Sequence, residues 1–520
     1  MKGIMKYAKI SLSLLMTMVI TLFSCNEETI ELLPIGNTEG TYFQNETQME
    51  EAVFGIYQKL AFFYAFRGGQ NNNVAPVTLL PSDDLTTTAN YAHENFSGLN
   101  GSNSQLSLYY DWAYQLIARA NTVLQKVEEN RTTAYLKQPE LADYHKGEAL
   151  FLRAYMYFNL WNVFGTAPLV TQRIVNIADA YPPNSTGTQL LDQGILDLEE
   201  AKKLLPESWA AAYKGRVTKN SARGLKGKIL VFRGSVNKTA ADFTAAITEF
   251  NSLTGLSLQP NYNNNFNVNF ENNSESLFEY QANTSPGNVN PFVGGAGGND
   301  AFAVIGEIGA YYGMFSQKPS WIGNSYFTAT ASIRSAYEAG DPRVQYILKP
   351  ESAGLINVIK YVRNTAYATG GNGAGNEISV NNPRILRYAD ILLLKAEAIV
   401  RSGGNIKDAI DLVNQVRERA RNSVETGEPS LVPANRDVNE TSPAVVLEWI
   451  FQERRLEFAF EEGHRWWDLR RRHMAGEIDL KTWDFQSKLL DFKFENKHIN
   501  FPLPEKEVVE NPNLDQNTGY

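Results

Sequence analysis

The stretch from Ser442 to His473, SPAVVLEWIFQERRLEFAFEEGHRWWDLRRRH, constrains this chain more than any other. Ser442 has the side chain to cap a helix, and Pro443 suits the first turn that follows. At about 100° per residue, Val446, Trp449, Ile450, Leu456, Phe460 and Trp467 share an arc of roughly 120°. Such a stripe faces a core. Glu453, Glu457, His464 and Arg471 fall in the same arc if one helix runs on through Gly463. Carboxylates in an apolar stripe are costly unless paired. The spacing therefore predicts a helix docked in a core that supplies arginine partners.

The N-terminus sets the compartment. Lys2, Lys6 and Lys9 precede an apolar run from Ile10 to Phe23 that contains Ser and Thr. A membrane-spanning helix needs about 20 apolar residues. This shorter run reads as a secretory signal over residues 1–24. Leu22-Phe23-Ser24-Cys25 resembles a bacterial lipobox, and Cys25 is the chain's single cysteine. Disulfide, CxxC redox and multi-thiolate zinc chemistry within one chain are excluded. A lipid thioether at Cys25 is expected instead, with Asn26-Glu27-Glu28 behind it. Residues 25–40 show no periodicity and read as a tether. One domain is expected over 41–520. The net charge of -9 becomes more negative once the leader is removed. Such a balance gives no general attraction for nucleic acid.

Helical periodicity recurs over Glu46–Leu60, Leu108–Glu129, Ala142–Val163, Gln189–Leu204, Lys219–Phe232, Ala240–Leu253, Arg384–Arg401 and Ile406–Arg421. Ser402-Gly403-Gly404-Asn405 supplies a short turn, so the last two read as a hairpin of tetratricopeptide type. Phe66–Leu106 is rich in Asn, Gly, Ser and Thr and reads as a long loop region. Leu256–Asn382 reads as loops with small β elements, among them a short strand at Glu275–Gln281 and a flexible GGNGAG loop at 370–375. The fold class is therefore mostly α: a tetratricopeptide-like helical-repeat scaffold with a loop-rich face carrying small β elements.

Several motifs resemble one family. ERRLEFAFEEGHRWWDLRRR within Ser442–His473, EALFLRAYMYFNLWNVFGTAPLV ending at Val170, RILRYADILLLKAEA from Arg384, and Asp341-Pro342-Arg343 all resemble segments of SusD-like (SusD/RagB) proteins. So do the Trp112–Leu124 segment and the C-terminal Pro502-Leu503-Pro504-Glu505, Asn511-Pro512 and Gln516–Tyr520. The resemblance implies a surface lipoprotein of the outer membrane. It implies a partner, a SusC-like TonB-dependent transporter, to which captured oligosaccharide or polysaccharide is delivered. It implies no cofactor and no catalysis, and it leaves the sugar unnamed. Relatives that capture peptides or glycoproteins keep a peptide- or protein-binding helical-repeat adaptor open as an alternative.

Enzymatic signatures are missing. There is no GxSxG, HExxH or GxxxxGK[ST], and no two histidines stand three or four residues apart. The rival chemistry is a glycoside hydrolase with paired carboxylates about 5–9.5 Å apart across a cleft. Glu453 and Glu457 have a fitting spacing, and Asp83-Asp84 lie in a loop that could face solvent. Ion pairing accounts for Glu453 and Glu457 without a cleft. No metal is called. A sugar ring has apolar C–H faces and a hydroxyl rim, which loop aromatics and nearby polar groups satisfy. Trp112, Trp161, Trp449, Trp466 and Trp467 lie in helical patterns and read as packing residues. Trp209, Trp321 and Trp483 do not. Trp321, in the turn-rich KPSWIGNSY with Tyr326, is the first candidate to hold a ligand. Tyr91 and Phe96 follow, with Asn90 and Asp84 as polar partners.

Overall fold

In the computed structural model, residues 39–64, 74–87, 92–282, 327–349, 356–361, 367–369, 377–379, 381–485 and 494–520 are described. The chain divides at Gln44. In the first unit, Gln44 donates to the carbonyls of Gly40 and Tyr42, and the Tyr42 and Phe43 rings pack edge-on at 4.9 Å.

The unit from Asn45 onward is built on ten helices long enough to pack as rods: α1 Glu46–Lys59, α2 Ser104–Asn130, α3 Glu140–Val163, α4 Gln189–Leu204, α5 Lys219–Asn237, α6 Ala240–Asn251, α7 Tyr388–Arg401, α8 Ile406–Asn422, α9 Pro443–Glu457 and α10 His464–Met474. Their starts follow local chemistry. Asn45, Asn103, Asn405 and Ser442 each accept a backbone N–H with the side chain, and Thr218 and Ser221 form a reciprocal capping box. From α2 to α8 each helix packs on the next, and α9 lies across α7 and α8. This is the expected helical-repeat scaffold, mostly α with few strands. No helix among the described residues is long and apolar enough to cross a membrane.

Three expectations about elements are corrected. The helix expected from Arg384 begins at Tyr388. Arg384–Arg387 is a strand, β7, antiparallel to β2 at Ser276–Glu279. Phe66–Leu106 is not simply loop, since it holds a short helix at Ala75–Leu79, strand β1 at Leu85–Thr87 and a turn of helix at Ala92–Asn95.

The third correction concerns Ser442–His473, which is two helices. Phe460 and Glu462 adopt φ of 66° and 45°, breaking the helix between Glu457 and His464. A Cβ on Gly463 would lie 2.4 Å from the Trp467 ring, so the second helix starts against a residue with no side chain. The break turns Leu456, Ala459 and Phe460 into one core cluster with Leu85, Phe327 and Val358. Val446, Ile450 and Phe458 enter another cluster with Leu393 and Val413.

That first cluster underlies a three-stranded antiparallel sheet. Strand β1 pairs with β3, Phe327–Ala329, and β3 with β4, Ile356–Asn357. Strands β5, Tyr367–Thr369, and β6, Glu377–Ser379, pair separately.

The C-terminal motif closes on the end of α3. Phe501 donates to the Val163 carbonyl at 2.9 Å, and Asn517 donates to the carbonyls of Phe164 and Phe501. Gly165, at φ 72°, ends the helix where a Cβ would strike Asn500 at 2.3 Å. Segments more than 300 residues apart in the chain are thereby locked together.

Candidate functional site

The carboxylates of α9 are spent on arginine. Glu453 receives Arg343 at 2.6 Å and Arg417 at 2.7 Å; Glu457 receives Arg387 at 2.7 Å, Arg343 at 3.2 Å and Arg419. All these side chains are buried. Burial by itself raises the Glu457 carboxyl, but Arg419, Arg387 and Arg343 outweigh it and hold it at about 2. A general acid needs the opposite shift, and no substrate reaches the pair. The arginine-bearing core expected from the apolar stripe is present, supplied by β7, α8 and the Asp341-Pro342-Arg343 turn.

Asp83 and Asp84 do not face solvent. Arg465 holds Asp83 through two bonds, and the Trp483 indole donates to it at 3.2 Å. Arg455 donates to Asp84 at 2.8 Å, and Thr330 bonds the carbonyls of both aspartates. Burial raises Asp83, yet Arg465 and Arg455 outweigh it and set it below the usual carboxylate range. Asp84 is shifted upward, first by burial and then by Asp83, against the pull of Arg455. Asp84, expected as a polar partner for ligand, is 1% exposed and serves to dock β1 onto α9.

Phe96 is also corrected. It is 3% exposed, at φ 57°, stacked on His498 at 5.0 Å and packed against Trp466, Phe494 and Phe501. The C-terminal segment folds over this ring, a contact that a loop-rich local sequence does not reveal.

Cys25, Asn90, Tyr91, Trp321 and Tyr326 lie outside the described residues. The roots of their segments are described. Thr87 pairs with Phe327, and Leu85 with Ala329. Antiparallel order places the exit from β1 and the entry to β3 at one end of the sheet. Residue 90 is thus three residues beyond Thr87, and Tyr326 is bonded directly to Phe327. Glu94 secures the exit, accepting from the Thr86 hydroxyl and the Thr87 N–H. The two candidate segments are attached to paired strands.

A further buried carboxyl, Glu462, lies at the break between α9 and α10. Glu462 accepts from the Tyr64 hydroxyl at 2.8 Å, and Tyr64 bonds Tyr155. Burial, with Glu461 adding to it, raises Glu462 to about 8 against the hydrogen bonds of Tyr64 and Tyr155 and the charge of Lys228. Among the described residues its Oε1 and the Trp467 Nε1 find no partner, and both residues line a cavity of about 40 Å³ with Tyr109 and Asn159. Such a volume admits water, whereas ligand pockets run to several hundred Å³. The doubled glutamate before Gly463, at the helix break, is the only local signal for this site. Among the described residues no group of three His, Cys, Asp or Glu side chains is placed to hold a metal ion.

Residues 335–520 match the family model described as the SusD family, and residues 43–230 match one described as "Starch-binding associating with outer membrane". The chain is 27% identical to SusD-like protein P38 of Formosa agariphila, over 99% of this chain and 100% of that one. It is 23% identical to a SusD-like protein of Bacteroides ovatus, over 89% and 82%. Its fold superposes on a laminarin binding SusD-like protein with a TM-score of 0.70 at 24% identity, over 92% of this chain and 100% of that one. Surface glycan-binding protein A from Bacteroides thetaiotaomicron, in complex with laminarihexaose, gives 0.68 at 21%, over 91% and 99%.

Proposed function

The chain belongs to the SusD-like family, and on that premise we propose that it is a non-catalytic, carbohydrate-binding lipoprotein of the outer membrane. Its ligand is an oligosaccharide or polysaccharide held by segments attached to the β1–β3 end of the small sheet. Trp321, Tyr326 and Tyr91 supply ring faces, and Asn90 supplies a polar partner. Asp84 and Phe96 are not part of this proposal. Cys25 carries the lipid anchor, residues 1–24 are the leader, 25–40 the tether and 41–520 the binding domain. The bound sugar is delivered to a SusC-like TonB-dependent transporter.

The observation that carries this reading is the Thr87–Phe327 pairing. It ties two aromatic-bearing segments to a rigid support, as loop sites require. Two similar structures, a laminarin binding SusD-like protein and surface glycan-binding protein A in complex with laminarihexaose, support a glucan as the first class to try. The hydrolase alternative loses its carboxylates to arginine.

The test is affinity electrophoresis of the purified protein in gels containing laminarin, starch, xylan or mannan, paired with a reducing-end assay. Retardation by at least one polysaccharide without released reducing ends is expected. No retardation in any gel favours a protein-binding adaptor, and released ends favour a hydrolase; either overturns the reading.

A further inference from the structure

Most aromatic rings of the described chain are buried. Phe54, Tyr181, Tyr213 and Phe270 are its exposed ones, and two of these four meet at a single guanidinium. The Arg216 Cζ lies 5.0 Å from the Phe54 ring centre, 5.2 Å from that of Tyr213 and 4.0 Å from that of Trp209, which is half-buried. Phe54 comes from α1; the other two rings come from the connection between α4 and α5.

Arg216 and Trp209 are firmly held. Arg216 grips Glu148 with Nε and Nη2, at 2.8 and 2.6 Å, and reaches Glu50 with Nη1 at 2.6 Å. Glu148 is fully buried and also receives the Tyr57 hydroxyl. The Trp209 indole donates to the Val217 carbonyl at 2.8 Å, and Tyr144 packs on its edge at 5.4 Å. Gly215, at φ 105°, lets the connection pass so close to Gln281 that a Cβ would lie 2.5 Å away. Core packing does not require two rings left open at 40% and 41% exposure. Arg216 and Trp209 beside them are held by hydrogen bonds, so this part of the patch is ordered before anything binds.

The rim is polar. The Tyr213 hydroxyl and the Lys214 ammonium have no protein partner among the described residues, and Glu50 keeps part of its carboxylate open. Flat rings beside a donor-and-acceptor rim suit a pyranose, whose C–H face covers aromatic surface while its hydroxyls are satisfied at the edge.

We infer that Phe54, Tyr213 and Trp209, set around Arg216, form a second carbohydrate contact that takes one pyranose unit of a long glycan. The inference rests on the carbohydrate-binding reading above. Two contacts on one protein raise avidity for a polymer that spans both, and leave a short oligosaccharide unaffected.

The experiment compares wild type with the double variant Phe54→Ala/Tyr213→Ala in gels containing laminarin, or whichever of the panel polysaccharides retards wild type. A second double variant, Phe54→Leu/Tyr213→Leu, keeps apolar bulk but removes the flat rings, and melting temperatures check both folds. Weakening of polysaccharide retention by about threefold to tenfold in both variants, with melting unchanged, is expected. Retention equal to wild type in either folded variant overturns the inference and leaves the carbohydrate-binding reading intact. No retention of wild type in any gel overturns both.

Discussion

Arg465 and Asp83, 382 residues apart in the chain, form a two-bonded ion pair, with Nε to Oδ1 at 2.6 Å and Nη2 to Oδ2 at 2.7 Å. The pair fastens the segment leading into β1 to helix α10. Its neighbour Arg455–Asp84 does the same for α9. Replacing Asp83 with Asn removes the carboxylate to which the largely buried Arg465 guanidinium is bonded. Asp83→Asn is expected to lose about 3–5 kcal/mol of unfolding free energy. Urea denaturation of the purified variant measures it; a loss below about 1 kcal/mol would show the pair to be dispensable.

Helix α10 begins against the bare backbone of Gly463. A methyl group there meets the Trp467 ring at 2.4 to 2.8 Å. The ring is wedged against Phe158, with centroids 5.4 Å apart in an edge-on contact, so it has little room to retreat. Gly463→Ala is expected to destabilise by about 1–3 kcal/mol, as overpacking does. A thermal melt coincident with wild type would mean that the indole shifts freely.

Glu462 predicts a fall in stability as pH rises from 4.5 toward 8. Its folded pKa, about 8, stands above the ordinary value of 4.5. Below 4.5 both folded and unfolded chains hold the proton. Between 4.5 and 8 only the folded chain does, so folding takes up a proton and stability declines as pH rises. Glu462→Gln removes this slope. Denaturation midpoints from pH 5 to 8 should fall in wild type and fall less in the variant. Parallel profiles would contradict the assignment.

Glu457 and Glu397 act in the opposite direction. Burial raises both, but arginines outweigh it: Arg419, Arg387 and Arg343 for Glu457, and Arg471 and Arg401 for Glu397. Each is held at about 2. Their contribution is present above 4.5 and is lost as pH falls toward 2. Wild-type denaturation midpoints should drop steeply between pH 4.5 and 3, and a level profile there would exclude these carboxylates as the acid-sensitive groups.

For the proposed ligand face, Trp321→Ala should weaken retention in a polysaccharide gel by about tenfold or more, since aromatic anchors dominate such contacts. Its melting temperature should stay at the wild-type value. Undiminished retention would remove Trp321 from the site.

The sequence was sufficient wherever the signal is local or periodic. Helices α1 to α6 and α8 lie close to where their apolar spacing puts them, because a 3.6-residue period acts within one or two turns, aided at α1, α2, α5 and α8 by a capping Asn or Thr. The family, too, was legible, since its motifs are short and keep their own spacing. The need of Glu453 and Glu457 for arginine partners followed from charge in an apolar stripe. What tertiary structure alone decided was which distant groups meet. Arg384–Arg387 has helix-like neighbours but becomes a strand because Ser276–Glu279 lies beside it. Phe96 and Asp84 look like loop residues open to solvent, yet the C-terminal segment covers one and Arg455 claims the other. The break at Phe458–Gly463 is set by the space around Trp467 and the sheet beneath Phe460. Long-range packing and ion pairing are sums over residues hundreds of positions apart, and no local window of sequence contains them.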